Sequence, residues 1–426
     1  MKILVVGSGG REHAIVWTLG QSPRKPTIFC APGNAGIASL ATCVPIAAHD
    51  VEALKDFVVR NHIDLTVVGP EVPLALGIAD EFRKHRLKIF GPTKGAARLE
   101  ASKSFSKELM QRAGIPTARA KSFTDAASAL AYADQQPLPM VIKADGLAQG
   151  KGVMIATNRQ QAREAIVDCM EKAVFGEAGK EVLIEEFLDG EELTIMAFTD
   201  GRTIVPMPPA QDHKRVGDGD TGLNTGGMGA YAPAPLGTAV LREQVRQQVL
   251  EPIVTHLSRI GSPFQGVLYA GLMVVKGVPY VLEFNARMGD PETQVVLPLL
   301  KTDLLEVIEA VVEHRLDQIG VEWSKEAAVC VVMTSGGYPG PYRTGVPIRG
   351  LSEVPPEHAV IFHAGTAFDQ QAVVTAGGRV LGITGLGSDI ASAQQTAYRA
   401  ANALSFDGCH YRRDIAHRAL HPRTSS

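Results

Sequence analysis

The stretch Pro139-Met140-Val141-Ile142-Lys143-Ala144-Asp145-Gly146-Leu147-Ala148-Gln149-Gly150-Lys151-Gly152-Val153-Met154-Ile155-Ala156 reads as a strand, a glycine-rich loop and a second strand. Lys143 closes the first apolar run, and no Gly-Lys-Ser/Thr follows, which excludes a P-loop. A cation fixed at a strand end beside a glycine loop suits a flap that closes over phosphates and keeps water out. Lys143 would then neutralise phosphate charge, with Gly150 and Lys151 in the closing loop. The alternative is a solvated hairpin whose lysines are incidental.

Toward the N-terminus the texture changes. Residues 2–6 (KILVV) form a continuous apolar run ending at glycine, as a strand buried on both faces does. Helix-like stretches at Arg11–Leu19, Val51–Asn61 and Leu74–His85 alternate with TIFC (27–30), DLTVVG (64–69) and LKIF (87–90), the order of a doubly wound layer. Gly7-Ser8-Gly9-Gly10 lies between the first strand and the first helix, where backbone N–H groups can meet an anion. A dinucleotide fingerprint would need glycine where Glu12 stands, and an acid where the second strand runs into Ala31-Pro32-Gly33-Asn34. The readings left are a phosphate site without a dinucleotide, or a tight turn.

Toward the C-terminus, helices are expected at Ala126–Gln135 and Asn158–Ala173, and hairpins at Asp200-Gly201 and Lys276-Gly277. Residues 211–235, rich in Gly, Asp and Pro without periodicity, read as a long loop near a site. Glu185-Glu186-Phe187-Leu188 ends a strand in a short hinge whose backbone can meet an adenine edge, with Glu192 placed for ribose hydroxyls; surface acids at a turn are the bland alternative. Period-two spacing sets Glu283 and Asn285 on one face of a strand end, a pair of oxygen donors of the kind Mg²⁺ accepts, with Arg287 on the same parity. Past Trp323, three further strands and a helix at Ile390–Leu404 form another unit.

The expected fold is mixed α/β and α+β. A doubly wound parallel-sheet domain covers 1–101, a two-lobed domain 102–325 with a flap lobe at about 121–190, and a small α+β domain 326–426. A net charge of −3 over 426 residues gives no reason to expect a nucleic-acid or membrane partner. Five scattered cysteines without a CxxC pair argue against a zinc site or a disulfide framework. The opening run Met1–Gly7 is too short for a signal peptide, so a cytoplasmic protein is expected.

A phosphate lysine, a glycine flap, an EEFL hinge and a late Glu-x-Asn occur in that order, an arrangement that resembles the ATP-grasp superfamily. More narrowly, GSGGREHA (7–14), APGNAG (31–36), VGPEVPL (68–74), QDHKRVGDGDTGLNTGGMGAY (211–231) and EFNARMGDPETQ (283–294) are similar to the glycinamide ribonucleotide synthetase family. The resemblance implies a central ATP-grasp domain using ATP and Mg²⁺ or Mn²⁺. It implies that Lys103 and Lys143 hold the ATP phosphates, that Glu185 with the Phe187–Leu188 backbone reads adenine and Glu192 the ribose, and that Glu283 and Asn285 ligate the metal. Gly9, Gly10, Asn34 and Glu71 would face the ribose phosphate substrate; Asp212, His213, Lys214, Arg287 and Asp290 would line the reacting centre, His213 touching substrate.

The implied activity is ligation of glycine to 5-phosphoribosylamine through glycyl phosphate, by a monomer, with Asp290 or Asp212 orienting the amine. Three positions depart from the pattern: Gly271 where many ATP-grasp enzymes carry a third acidic ligand, Gln149 in the flap, and Leu223 where proline is expected before Asn224. The rival readings are another ATP-grasp purine ligase, such as a formate-dependent transformylase or carboxylase, a nicotinamide-dependent oxidoreductase built on the first domain, and a non-catalytic ATP-binding regulator.

Overall fold

The computed structural model of the chain describes residues 1–146, 152–355 and 359–421, so Gly150 and Lys151 lie outside the described residues. Strands β1 (Lys2–Gly7), β2 (Thr27–Pro32), β3 (Thr42–Cys43), β4 (Leu65–Val68) and β5 (Ile89–Phe90) form one parallel sheet in the order β3-β2-β1-β4-β5. Leu4 and Val6 pack into a core with Leu54, Val58 and Phe82. Ile3 and Val5 point the other way, into a core with Ile15, Leu19, Leu304 and Ile308. Helices therefore cover both faces, the physical reason for the unbroken apolar run. The helix expected over Leu74–His85 is instead two, Glu71–Leu76 and Ile78–Lys84, parted by Gly77 at φ 95°. That left-handed conformation ends a helix at little cost only for glycine.

The flap lobe is a four-stranded antiparallel sheet of β6 (Ala120–Phe123), β7 (Met140–Ala144), β8 (Val153–Ala156) and β9 (Val182–Glu186), in the order β6-β9-β7-β8. Helices Ala126–Ala133 and Arg159–Met170 close its own core around Ile142, Ile166 and Ile184. Asn158, expected inside the second helix, caps it by accepting the Gln161 N–H.

The strands that follow are β10 (Glu191–Thr199), β11 (Ile204–Pro206), β12 (Gln211–Asp212), β13 (Arg215–Gly217), β14 (Thr221–Asn224), β15 (Gly229–Ala232), β16 (Gly266–Val275) and β17 (Val278–Asn285). An antiparallel central sheet runs β11-β10-β16-β17, with both expected hairpins present. Lys276 and Gly277 have φ of 49° and 81°, the left-handed pair that a tight two-residue hairpin needs.

Residues 211–235 are not the long loop that their composition predicts. β13 and β14 form a hairpin, and β12 and β15 join β18 (Ala327–Thr334), β19 (Ala359–His363) and β22 (Arg379–Gly387) in a sheet ordered β12-β15-β18-β22-β19; β20 (Thr366–Asp369) and β21 (Ala372–Thr375) pair apart. The glycines that hid the strand also permit it: a Cβ on Gly229 would lie 2.6 Å from the Cys330 carbonyl oxygen. No described helix is long and apolar enough to cross a membrane, and all five cysteines are free.

Candidate active site

The candidate site is built on the end of β17. Gly271 faces Glu283 and Leu272 faces Val281, so Leu282 is an extra residue, a β-bulge. Its carbonyl oxygen accepts a hydrogen bond from Lys143 Nζ at 3.1 Å, which ties the flap sheet to the central sheet. Gly271, directly opposite Glu283, leaves space for it: a Cβ there would lie 3.3 Å from the Glu283 Cγ.

Lys143 Nζ is also 2.7 Å from Glu185 Oε2, and Lys107 Nζ is 2.8 Å from Glu185 Oε1. All three side chains are buried, and Lys107 further donates to Thr117 Oγ1 (2.7 Å) and the Ala118 carbonyl (3.1 Å). Burial alone would raise the Glu185 pKa, but Lys143 and Lys107 together hold it below the usual carboxylate range. Lys103, the first residue of helix Lys103–Ala113, donates to the Gly146 carbonyl at 2.7 Å. Asp145, at the flap base, accepts from Ser104 N and from the hydroxyls of Ser102 and Ser104 at the same helix start. Phe187 is exposed and Leu188 half-buried on the segment leading to β10.

Glu283 and Asn285 do lie on one face. Burial would raise the Glu283 pKa, but Lys214, Lys143, Lys103 and Arg287 outweigh it and keep the carboxylate ionised. Among the described residues this carboxylate makes no hydrogen bond or ion pair. Asn285 Oδ1 accepts from Arg287 Nη2 at 3.3 Å. Arg287 in turn reaches the N-terminal domain, with Nη2 2.7 Å from Glu100 Oε1 and Nε 3.5 Å from Glu71 Oε2.

In the glycine turn, Glu12 folds back under the loop. Its Oε2 accepts the Gly9 N–H at 2.6 Å and its Oε1 lies 2.5 Å from Arg11 Nε. A Cβ on Gly7 or Gly69 would sit about on top of this side chain, 2.6 Å from its carboxyl carbon. The residue that spoils a dinucleotide fingerprint thus fills the turn. Gly10 packs against Gln294, and a Gly9 Cβ would lie 3.4 Å from Asp290 Oδ2. Asn34 spends its polar groups within the chain: Nδ2 donates to the Ser8 and His363 carbonyls, each at 2.8 Å, and Oδ1 accepts from Gly36 N and Ile37 N.

On the opposite wall, Lys214 pairs with Glu192. Burial would lower the Lys214 pKa, yet Glu192 and Asp212 carry it well above its ordinary value. Asp212 is buried and its carboxylate, like that of Glu283, has no hydrogen bond among the described residues. Burial pushes it up to about 7, with Lys214 opposing and Glu292 and Glu192 adding. Asp290 is paired, 3.4 Å from Arg379 Nη2 and accepting from Gln294 Nε2 at 2.8 Å. His213 is fully buried and its Nε2 accepts the Ala416 N–H at 3.0 Å.

Models of the phosphoribosylglycinamide synthetase N domain, ATP-grasp (A) domain and C domain match residues 1–100, 101–293 and 328–418. The chain belongs to the phosphoribosylglycinamide synthetase family. It is similar to the phosphoribosylamine–glycine ligase of Caldanaerobacter subterraneus subsp. tengcongensis, 51% identical over 98% of this chain and 99% of that protein. The ligase of the same name from Pseudomonas aeruginosa is 49% identical over 99% of this chain and 98% of its own. The crystal structure of phosphoribosylamine–glycine ligase from Thermotoga maritima superposes with a TM-score of 0.83 at 35% identity, covering 98% of this chain and 100% of that one. Biotin carboxylase from Campylobacter jejuni, 16% identical over 96% of this chain and 92% of its own, shares the fold with a TM-score of 0.75. The chain is thus an ATP-grasp ligase.

Sequence reasoning missed Lys107, Glu100, Arg379 and the structural use of Glu12. Lys107 is four residues from Lys103 on one helix, a spacing that puts both on one face; that signal was available. Glu100 and Arg379 act through partners 187 and 89 residues away, for which no linear pattern exists.

Proposed function

We propose that this chain ligates glycine to 5-phosphoribosylamine at the expense of ATP, giving glycinamide ribonucleotide, ADP and phosphate in purine biosynthesis. The observation that carries the reading is the Glu283 carboxylate: ionised, in the field of four cations, and bonded to none of them among the described residues. In a site where Glu185, Glu192, Glu100 and Asp290 are all paired, it is an acid kept for a group from outside.

Magnesium or manganese fits that position. Glu283 and Asn285 offer hard oxygen donors on one face of a strand end, and such ions leave their other positions to water and phosphate. When bound, the ion screens phosphate charge and acts as a Lewis acid on a phosphoryl oxygen.

The chain's own residues do the remaining work. Lys143 and Lys103 hold the ATP phosphates, the Phe187–Leu188 backbone meets adenine, and Glu192 accepts from ribose hydroxyls. Glu185 acts on the nucleotide chiefly through Lys143, whose ammonium it fixes. Gly10 and Glu71 face the ribose phosphate, while Asn34 shapes that wall. Arg287 and Lys214 balance the carboxylate of glycine as its oxygen attacks the γ-phosphorus and the bond to the β,γ-bridging oxygen breaks, releasing ADP and leaving glycyl phosphate. The amine of phosphoribosylamine then attacks the glycyl carbonyl: the C–N bond forms, the C–O bond to phosphate breaks, and the amine proton leaves. Asp212, whose carboxylate has no hydrogen bond among the described residues and whose pKa is pushed up to about 7, is the better acceptor for that proton, since Asp290 is held by Arg379 and Gln294. The same reading makes the enzyme cytoplasmic and monomeric; light scattering checks the second.

The test is ADP formation that requires both glycine and phosphoribosylamine. With ¹⁸O-carboxylate glycine, one label per turnover passes to inorganic phosphate. Product formation with unlabelled phosphate would refute the acyl phosphate, and ADP release indifferent to glycine would refute the ligase.

A further inference from the structure

We infer that the C-terminal segment Arg412–Arg418 is a positioning device for the reacting centre, setting Asp212 and Lys214 by clamping the residue between them. The inference rests on the ligase reading given above, and goes beyond it in naming residues outside the site.

Two direct bonds link the segment to the site. Ala416 N–H donates to His213 Nε2 at 3.0 Å, and Arg418 Nη1 donates to the Asp212 carbonyl at 3.2 Å. With Nε2 accepting, the neutral ring carries its proton on Nδ1, a buried atom that has no hydrogen-bond partner among the described residues. Burial, with Arg418, Arg412 and His417 close by, holds His213 uncharged. A neutral ring of fixed tautomer is a rigid spacer between an acid and a lysine.

The donor itself is held under strain. Ala416 has φ 71°, a left-handed conformation that costs a residue bearing a Cβ on the order of 1 kcal/mol or more. Such a conformation persists only where its surroundings impose it, and the surroundings here are charged. Arg412, fully buried, takes both oxygens of Asp414 at 2.7 Å and Asp220 Oδ1 at 2.8 Å, while Arg418 takes Asp220 Oδ2 at 2.8 Å. Asp220 belongs to the segment between β13 and β14, so the clamp closes on the same stretch that carries Asp212. A tail serving only stability has no need to aim the N–H of a strained residue at one ring nitrogen beside Asp212, an acid with no hydrogen bond to its carboxylate among the described residues.

Arg418→Ala and Arg418→Lys test it by kinetics and by ¹⁵N NMR of the His213 ring. Arg418→Ala should lower kcat at least about tenfold, the scale of a small misplacement of reacting groups, with the KM for ATP unchanged. Arg418→Lys, which keeps the charge toward Asp220, should recover part of the loss. In the wild type the ring should stay neutral with its proton on Nδ1 from about pH 5 to 8, and in Arg418→Ala it should begin to titrate. Unchanged kcat in Arg418→Ala overturns the inference, as does a loss that falls equally on the KM for ATP and on the melting temperature. If the wild type shows no glycine-dependent ADP formation, the ligase reading fails instead, and the NMR arm still decides the clamp.

Discussion

Lys143 donates to the carbonyl oxygen of Leu282, the one residue that the bulge takes out of the β16–β17 ladder. This lysine of the flap sheet, which the proposed function sets against the ATP phosphates, thus meets the backbone of β17 one residue before Glu283. Lys143→Met should weaken ATP binding by at least about tenfold, since a charge-assisted contact is lost at both ends. Titration calorimetry with ATP checks this; wild-type affinity would count against a shared anchoring of flap and strand.

Glu185 separates two buried ammonium groups. Glu185→Gln leaves Lys107 and Lys143 without their counter-charge and should cost about 3–5 kcal/mol of stability, the usual penalty for breaking a buried pair. The pKa of Glu185 is lowered by folding, so its contribution is present above the unfolded carboxylate pKa and is lost as pH falls through the lower folded value. Urea unfolding of both proteins at neutral and acid pH should show the difference shrinking in acid.

Glu283→Gln and Asn285→Ala should each reduce turnover by orders of magnitude with the circular dichroism spectrum unchanged, because Glu283 makes no bond among the described residues and Asn285 only one long contact, to Arg287 at 3.3 Å. Near-wild-type ADP formation in both at saturating Mg²⁺ would remove the metal assignment.

Asp212, with its pKa raised to about 7, should give kcat an ascending limb near neutrality, as the carboxylate must be free to accept a proton. Asp212→Asn should lose that limb along with most activity. A raised carboxylate pKa means that the folded state binds the proton more tightly, so stability declines as pH rises from about 4 toward 7. The Asn variant should accordingly be more stable than wild type at neutral pH and level with it in acid.

His13, on helix Gly10–Gly20, and His363, at the end of β19, are both buried, with His363 N–H donating to His13 Nδ1 at 2.8 Å. Burial pushes His13 down to about 3 and His363 to about 4. Both are neutral when folded, whereas the unfolded chain protonates them below about pH 6.5. Stability should fall as pH drops from there, by about 1.4 kcal/mol per pH unit for each histidine. Replacing both with asparagine should flatten the acid limb of a stability–pH profile; an unaltered slope would assign acid sensitivity elsewhere.

What the sequence made legible were features written along one stretch of chain. KILVV announces a strand buried on both faces because both cores, around Leu4 and around Ile3, demand apolar side chains. Glu283 and Asn285 share a face because alternation holds between them, and the bulge at Leu282 falls just outside the pair. Gly77 as a helix break, and β15 within a glycine-rich run, were hidden because glycine records only what it permits. Lys107 was readable from its spacing to Lys103, whereas Glu100 and Arg379 were illegible for another reason. Each of these two is defined by a charge brought up from another element, and an isolated arginine or glutamate in sequence looks like any solvated one.

The sheet that runs β12-β15-β18-β22-β19 bears on how this chain can be cut. Severing it near residue 326 would strip β15 of its partner and lay open Ala230, Tyr231 and Ala232, all buried now, along a bare edge prone to pairing with other chains. Transplanting the last hundred residues onto a different ligase would require carrying 211–232 with them. Residues 211–232 and the unit after residue 326 therefore behave as one exchangeable part of the chain.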